Sequence, residues 1–407
     1  MLKKITAGSQ RLFHFFLLGI CFLLPFQPTF LATVEILTVL FFIVGHSPGR
    51  IFKNLVNEKY ITLPFFLFFA LVAVSYFFSD DKTEAARQVE VKLAFLVIPL
   101  LVLGSGMHRR KAIRAITVFI GGCAVACVAL LLRAAWIYMA TRDTAVFNYS
   151  YFSYFMHVTY FAMYLLVCMG WLFMDGLENW VKFPRMYVWL ILLFAFCLVL
   201  VAAKIMLAAF ILSSLLFAGY YAKRRQKIWQ ALSIVFLVTA MPVVAYLVSP
   251  GLKTRVDAVF TDMANFDKQP IDTANIGSTA IRMVIWTDAV PRIKQNLPWG
   301  IGAGDVQHML LQNYEKRHLH KAIDKKLNMH NEYLQQLAGL GIPGLLVFIC
   351  LMLLPAFVCA PPHRFIGLLF SFTVIVVSLT ESIFERQAGT IFFCLLGILL
   401  MAAYRKE

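Results

Sequence analysis

The sequence predicts an all-α polytopic membrane protein of roughly 12 transmembrane helices, with one large helical loop between spans 9 and 10. Three observations carry this. Of the 407 residues, 61% are hydrophobic and only 14% charged, and the mean hydropathy is +0.77, too little charge to cover a soluble domain of that length. The apolar runs are long enough to cross a hydrocarbon core of about 30 Å as helices, whereas the short alternating segments of a β-barrel are not seen. The basic residues, finally, collect in alternate connections.

A net charge of +16 would suit a nucleic-acid binder, but its placement argues against that partner. Lys3, Lys4 and Arg11 precede the first span, and Arg50, Lys53 and Lys59 follow the second. Arg109, Arg110, Lys111 and Arg114 follow the fourth, and Lys223, Arg224, Arg225 and Lys227 the eighth. The intervening connections are neutral or acidic, as in Asp80-Asp81-Lys82-Thr83-Glu84, so the excess reads as the positive-inside signal with both termini cytoplasmic. All eight cysteines (Cys21, Cys123, Cys127, Cys168, Cys197, Cys350, Cys359 and Cys394) fall in apolar runs. They read as small buried hydrophobes, not as a disulfide framework or a zinc site.

In order, spans are expected near 12–27, 29–45, 60–79, 91–106, 112–139, 156–174, 186–202, 204–221, 229–249, 336–358, 364–381 and 388–404. This gives spans 1–9 within residues 1–249, a hydrophilic loop over 250–335 and spans 10–12 within 336–407, all one membrane domain. The first run, from Leu12 to Pro25, has the basic start of a signal peptide but no clear small-residue cleavage site, and is kept as an uncleaved helix. The run from Met186 to Tyr221 would be about 54 Å long as one helix, too long for one crossing, and is split at Ala202-Ala203-Lys204. Lys204 then stands at an outward helix end, where it either snorkels or meets an anionic ligand.

A loop as long as 250–335 needs structure of its own. Thr279 to Val290 has helical apolar spacing, a cap at Ser278 or Thr279, and Arg282 on one face with Trp286 and Ala289 or Val290. The run Pro298-Trp299-Gly300-Ile301-Gly302-Ala303-Gly304-Asp305 follows as a tight turn, then a helix over Val306 to Lys316, then another from near Met329 into span 10. The glycine run superficially resembles a nucleotide loop, yet it follows a helix and not a strand. It therefore reads as a backbone turn packed close to substrate or to membrane helices. His308, His318, His320 and His330 match no zinc spacing, and Lys316, Arg317 and Lys321 mark the middle pair as a solvated basic surface.

Around the third outward loop, Arg142 and the aromatic run Phe147-Asn148-Tyr149-Ser150-Tyr151-Phe152 read as an interfacial belt, with His157 and Tyr160 as candidate sugar or lipid contacts. Glu381, Glu385 and Arg386, between the last two spans, form either a local ion pair or part of a substrate cavity. His330 opens the stretch from Met329 to Gly344, where the polar segment returns to an apolar helix and the small pair Gly341 and Gly344 permits close packing. On the residues alone, a histidine at a helix start is first a structural feature.

The pattern His330-Asn331, nine residues, Gly341, two residues, Gly344 resembles the motif of the O-antigen ligase family. Its superfamily includes O-antigen polymerases and protein O-oligosaccharyltransferases, and the likeness covers chiefly residues 200–355. The resemblance implies that His330 takes part in catalysis and that basic residues of the periplasmic part bind a lipid pyrophosphate. Arg282 matches the arginine of the family's helix before the Pro-x-Gly-x-Gly turn. Lys204 stands where relatives carry arginine, a departure that replaces a bidentate fork with a point charge.

The activity so implied is transfer of a glycan from undecaprenyl diphosphate to lipid A-core, at the periplasmic face of the bacterial inner membrane. Membrane lipids surround the site, and neither metal nor other cofactor is called for, since the energy resides in the donor. Arg282 and Lys204 would neutralise the diphosphate, His330 would take the acceptor's proton, and Asn331 would orient the imidazole or the acceptor hydroxyl. Direct displacement would invert the anomeric centre. A polymerase or a protein O-oligosaccharyltransferase remains the alternative, because no motif names the acceptor. A transporter or flippase is a third class, disfavoured by the lack of an internal repeat and of a midplane charge cluster.

Overall fold

In a computed structural model of the chain, the described residues are 2–178, 184–226, 228–248, 250–265 and 277–405. Among them there is no strand, only helices and one isolated antiparallel bridge between Cys359 and Arg405. Among the described residues, seven helices are long and apolar enough to span a membrane, or eight if the pair Leu31–Gly45 and Pro48–Asn57, bent by 104°, counts as one. The protein is thus multi-pass, but the expected twelve spans are not all found. Arg185–Val201 and Arg364–Ser378 are apolar yet short, and the span expected at 91–106 is two pieces, Lys82–Lys92 and Ala94–Val102. Lys82–Lys92 is mostly polar and starts outside the apolar run, with the Asp81 side chain accepting from Glu84 N as its cap.

Other expectations meet the structure more closely. The long run does break where Lys204 was placed: Arg185–Val201 ends on Ala202 in the left-handed region (φ 50), and Lys204–Arg225 begins two residues later. In the hydrophilic segment, Val306–Lys316 forms as expected, while Ser278–Gln295 is capped by Gly277 and has no side-chain cap from Ser278 or Thr279. The helix into the next span starts at Glu332, after Asn331, not near Met329. Pro250–Asn265 and His320–Asp324 are further helices with no counterpart in the expected elements. Part of the expected loop, 266–276, and Lys227 of the basic cluster lie outside the described residues.

Two compact units are present. One comprises residues 1–24, 29–118 and 260–407. Its apolar centre is a ring cluster in which Phe384 meets Phe95 (4.8 Å), Phe393 (5.2 Å) and Phe348 (5.6 Å), each pair edge-on or tilted as aromatic quadrupoles prefer. The hydrophilic segment adds a second core. Ile281, Val284, Ile285, Ala289 and Ile293 of Ser278–Gln295 recur at three- and four-residue intervals and bury one helix face against Met309, Leu310, Tyr314 and Ala338.

The other unit comprises residues 25–28 and 119–259. Its most enclosed helix is Val158–Glu178, buried at nearly every position. Cys123, Cys127, Cys168 and Cys197 are buried here as reduced thiols. Only Cys350, in the first unit, departs from the expectation of burial.

Candidate active site

The site is assembled around a break in a membrane helix. Within Glu332–Val358, Gly341 adopts φ 66 and ψ −157, which interrupts the helical ladder. The Pro298–Gly302 turn docks into that interruption. Ile301 N donates to Ala338 O at 2.8 Å, Gly302 N to Gly339 O at 3.0 Å, and Ile342 N to Pro298 O at 2.8 Å. A Cβ at Gly341 would sit 2.0 Å from Pro298 O, and one at Gly300 (φ 79) would sit 2.7 Å from Ala338 O, so both positions require glycine. The glycine run is therefore a backbone turn packed on a membrane helix, one of the two placements expected of it.

That docking brings Ser278–Gln295 beside the start of Glu332–Val358. Trp286 Nε1 donates to Met329 O at 2.8 Å, which turns the face shared by Arg282 and Trp286 towards the next residue, His330. His330 is itself left-handed (φ 48), a conformation costing a non-glycine residue about 1–2 kcal/mol that persists only under surrounding constraint. The constraint is visible: its N–H donates to Asn328 Oδ1 at 3.0 Å. Asn331 follows in extended geometry as the helix cap, its Oδ1 accepting from Leu334 N at 3.0 Å and its Nδ2 donating to Leu379 O at 3.2 Å.

Facing them is the turn between Arg364–Ser378 and Gln387–Tyr404. Its Glu381 bridges the two candidate groups, with Arg282 Nη2 donating to Oε1 at 2.8 Å and His330 Nδ1 to Oε2 at 3.1 Å. The carboxylate side chain is 9% exposed, Arg282 25% and His330 20%, so the cluster is sheltered but open to a ligand. An ionised carboxylate only accepts, so Nδ1 carries the proton and the Nε2 lone pair is left as an acceptor. Arg282 commits one of its guanidinium donors to Glu381, and the group has four more.

The same turn is anchored by buried charge. Ser382 Oγ accepts from Asn331 N, and Phe384 N donates to the fully buried Glu332 at 2.9 Å. Glu385 accepts from Lys92 Nζ at 3.0 Å and Gln88 Nε2 at 2.7 Å, and Lys92 also donates to Gln88 Oε1. Burial alone would raise the Glu385 carboxyl, but Lys92, Gln88 and Arg87 hold it below the ordinary range.

The remaining candidates belong to the other unit. Lys204 is the first residue of its helix and is partly exposed. His157 is exposed and Tyr160 buried, their rings edge-on at 5.8 Å. Near them the aromatic run is clamped by cations, Arg255 lying over Tyr149 and Arg133 over Tyr154 at 3.2 and 4.2 Å from the ring centres. His318 and His320 are exposed, and Arg317 beside them is held charged by Asp288. Among the described residues, no three His, Cys, Asp or Glu side chains are grouped as a metal site requires. Glu381 is the residue a reading by motif does not select. Its signal is an acid at the very end of an apolar helix, where only a partner or a function makes it tolerable.

Fold and cluster define a class: a multi-pass helical membrane protein in which a histidine and an arginine share one carboxylate where a polar segment re-enters the bilayer. Residues 188–349 match the O-antigen ligase family. The match contains Lys204, Arg282, His330, Asn331 and the docked turn, and ends before Glu381. It supports a membrane glycosyltransferase of the ligase or polymerase type acting on lipid-linked glycan. No curated protein matches the chain.

Proposed function

We propose that the protein is an O-antigen ligase that transfers a glycan from undecaprenyl diphosphate to lipid A-core, on the periplasmic face of the inner membrane. The observation that carries this reading is the pair of donors on Glu381, an imidazole and a guanidinium converging within the family-matched segment and its neighbouring turn.

In the reaction, the bond between the anomeric carbon and the diphosphate oxygen breaks and the acceptor oxygen forms the new glycosidic bond. The acceptor's proton goes to His330 Nε2, and the carboxylate on Nδ1 stabilises the imidazolium that results, as in other His–carboxylate pairs. The leaving diphosphate is dianionic or more, and Arg282 meets it with charge-assisted hydrogen bonds. Lys204 supplies a second cation. His157 and Tyr160 bind sugar or lipid, and Asn331 acts through the backbone it caps, fixing the imidazole. The attacking oxygen approaches opposite the leaving group, so the anomeric configuration inverts. The assignment of side is supported by the positive-inside reading of the basic clusters at Lys3–Arg11, Arg50–Lys59, Arg109–Arg114 and Lys223–Arg225.

The test is reconstitution of purified protein with lipid-linked glycan and lipid A-core, with product analysis. Glycan appearing on lipid A-core is expected. Extension of the lipid-linked chain instead, or transfer to a protein hydroxyl, would replace the ligase by the polymerase or the O-oligosaccharyltransferase. Movement of substrate across the bilayer without any transfer would replace both by a transporter.

A further inference from the structure

We propose that a polar pocket at the far end of the helix that carries Arg282 is a binding site for an uncharged, hydroxyl-rich saccharide, a portion of substrate glycan remote from the bond being made. The assignment rests on the transfer reading above for its substrate, but not for its binding chemistry. The cavity measures about 700 Å³, within the usual range for small-ligand sites. It lies wholly within the first unit, between the connection after Lys59–Phe78, the C-terminal end of Ser278–Gln295 and the exposed side of Val306–Lys316.

Its floor is prebuilt. The Asp305 carboxylate accepts from Asp80 N at 2.9 Å and from Asp81 N at 2.8 Å, joining two segments far apart in sequence. Gly304 N donates to Ser79 Oγ at 3.2 Å, and Ile301 is held to Ala338 by the docked turn. A site fixed in this way binds without first ordering its own loops.

Its wall is a ladder of planar polar groups. Arg292 Nη1 donates to Gln312 Oε1 at 3.1 Å, Gln312 Nε2 lies 2.8 Å from His308 Nε2, and Asn296 stands one turn beyond Arg292. Across from them the exposed Asp80 supplies an acceptor. Each sugar hydroxyl both donates and accepts, so a lining that mixes amides, a guanidinium and carboxylates suits a polyol. A polyanion is disfavoured by Asp80 and Asp81, and a wholly apolar ligand by the polar lining. Ile301 and Met309 supply the small apolar area that the C–H face of a pyranose needs.

The pocket is also placed to serve the cluster. Arg282 and Arg292 sit ten residues apart on one helix, about 15 Å along its axis and within about 80° around it. On this assignment a glycan held at Arg292 and Gln312 runs along that helix towards Arg282. Such a site selects the substrate by its distal sugars, not by the groups that react.

The test uses full-length protein in lipid nanodiscs and two readouts. In saturation-transfer NMR, the probe is the oligosaccharide freed by mild acid from the producing cell's own surface glycolipid. The wild type is expected to show transfer to the sugar protons, and Asn296→Ala with Gln312→Ala to lose it. In transfer kinetics the same double variant is expected to raise KM about tenfold, with kcat changed less than about twofold. The increase falls on the donor if the pocket holds transferred glycan, and on the acceptor if it holds core sugars. Asp80→Ala, in an exposed connection, is a second variant expected to act in the same direction. Equal NMR signals in wild type and double variant, or an unchanged KM for both substrates, overturn the site. A wild type that binds the saccharide in this pocket but transfers nothing sustains the site and removes the transfer reading instead.

Discussion

Glu381 and Glu385 lie four residues apart on one turn, and their surroundings assign them opposite work. Glu385 is sealed against Lys92, which is 2% exposed, and its partners Arg87, Gln88 and Lys92 all sit on the helix Lys82–Lys92. Glu381 faces two partners, each a fifth or more exposed, which leaves the Nε2 lone pair of His330 and further guanidinium donors of Arg282 beside it. A buried ion pair adds little net stability over well-packed apolar residues, but losing one partner strands the other. The comparison teaches that the two carboxylates differ in their nearest partners: Glu385 is sealed against Lys92 and Gln88, with only the more distant Arg87 open to solvent, whereas both partners of Glu381 are partly exposed.

The largest effect expected is on the exposed side. His330→Ala should lower transfer by about 10²–10⁴-fold while expression and membrane insertion stay normal, measured with the reconstituted enzyme. Near-normal transfer by that variant would falsify the general-base role. The buried side should respond in stability: Lys92→Met is expected to cost roughly 3–5 kcal/mol in unfolding of the detergent-solubilised protein, most of it regained when Glu385→Gln is added. Equal losses in the single and double variants would show that packing, and not stranded charge, is at stake.

This pair also has a pH signature. Because the folded Glu385 carboxyl is depressed, its contribution is complete above the unfolded carboxylate range near pH 4.3 and is lost as pH falls through the lower folded value. Acid unfolding of the wild type should therefore be steeper below pH 4 than that of the charge-free double variant, and superimposable curves would remove the pair from the account.

Glu381→Gln keeps shape and removes charge. It should lower kcat by roughly 10²-fold with little change in thermal stability, and a stability loss matching that of Lys92→Met would erase the distinction between the two carboxylates. The smallest effect belongs to Trp286→Phe, which removes the hydrogen bond to Met329 O. A loss of about 1 kcal/mol in stability and a several-fold drop in kcat are expected, while an unchanged kcat would mean that the His330 backbone is set without it.

How far the sequence reaches can be followed residue by residue. The apolar runs, the break at Ala202 and the helix Val306–Lys316 are legible because they depend on local composition and spacing. The count of twelve spans is not confirmed where hydropathy cannot register length or a bend: Ala94–Val102 is short, and Leu31–Gly45 turns sharply into Pro48–Asn57. The motif around His330 and Gly341 marks the segment in which the candidate site forms, and Arg282 follows from its place before the glycine turn. Glu381 does not follow from any motif, because its role arises only when a turn 99 residues from Arg282 meets it in space.

By its sequence alone this protein is a multi-pass helical membrane protein, since continuous apolar runs admit no other solvent, and the histidine and arginine of its polar segment are already singled out. What those two groups share, and which carboxylate they share it on, was decided only in three dimensions. Helical periodicity reports the face on which a side chain lies. It carries no information about which distant turn will be brought against that face, and here the docking of Pro298–Gly302 into the break at Gly341, together with the buried anchor at Lys92, makes that choice.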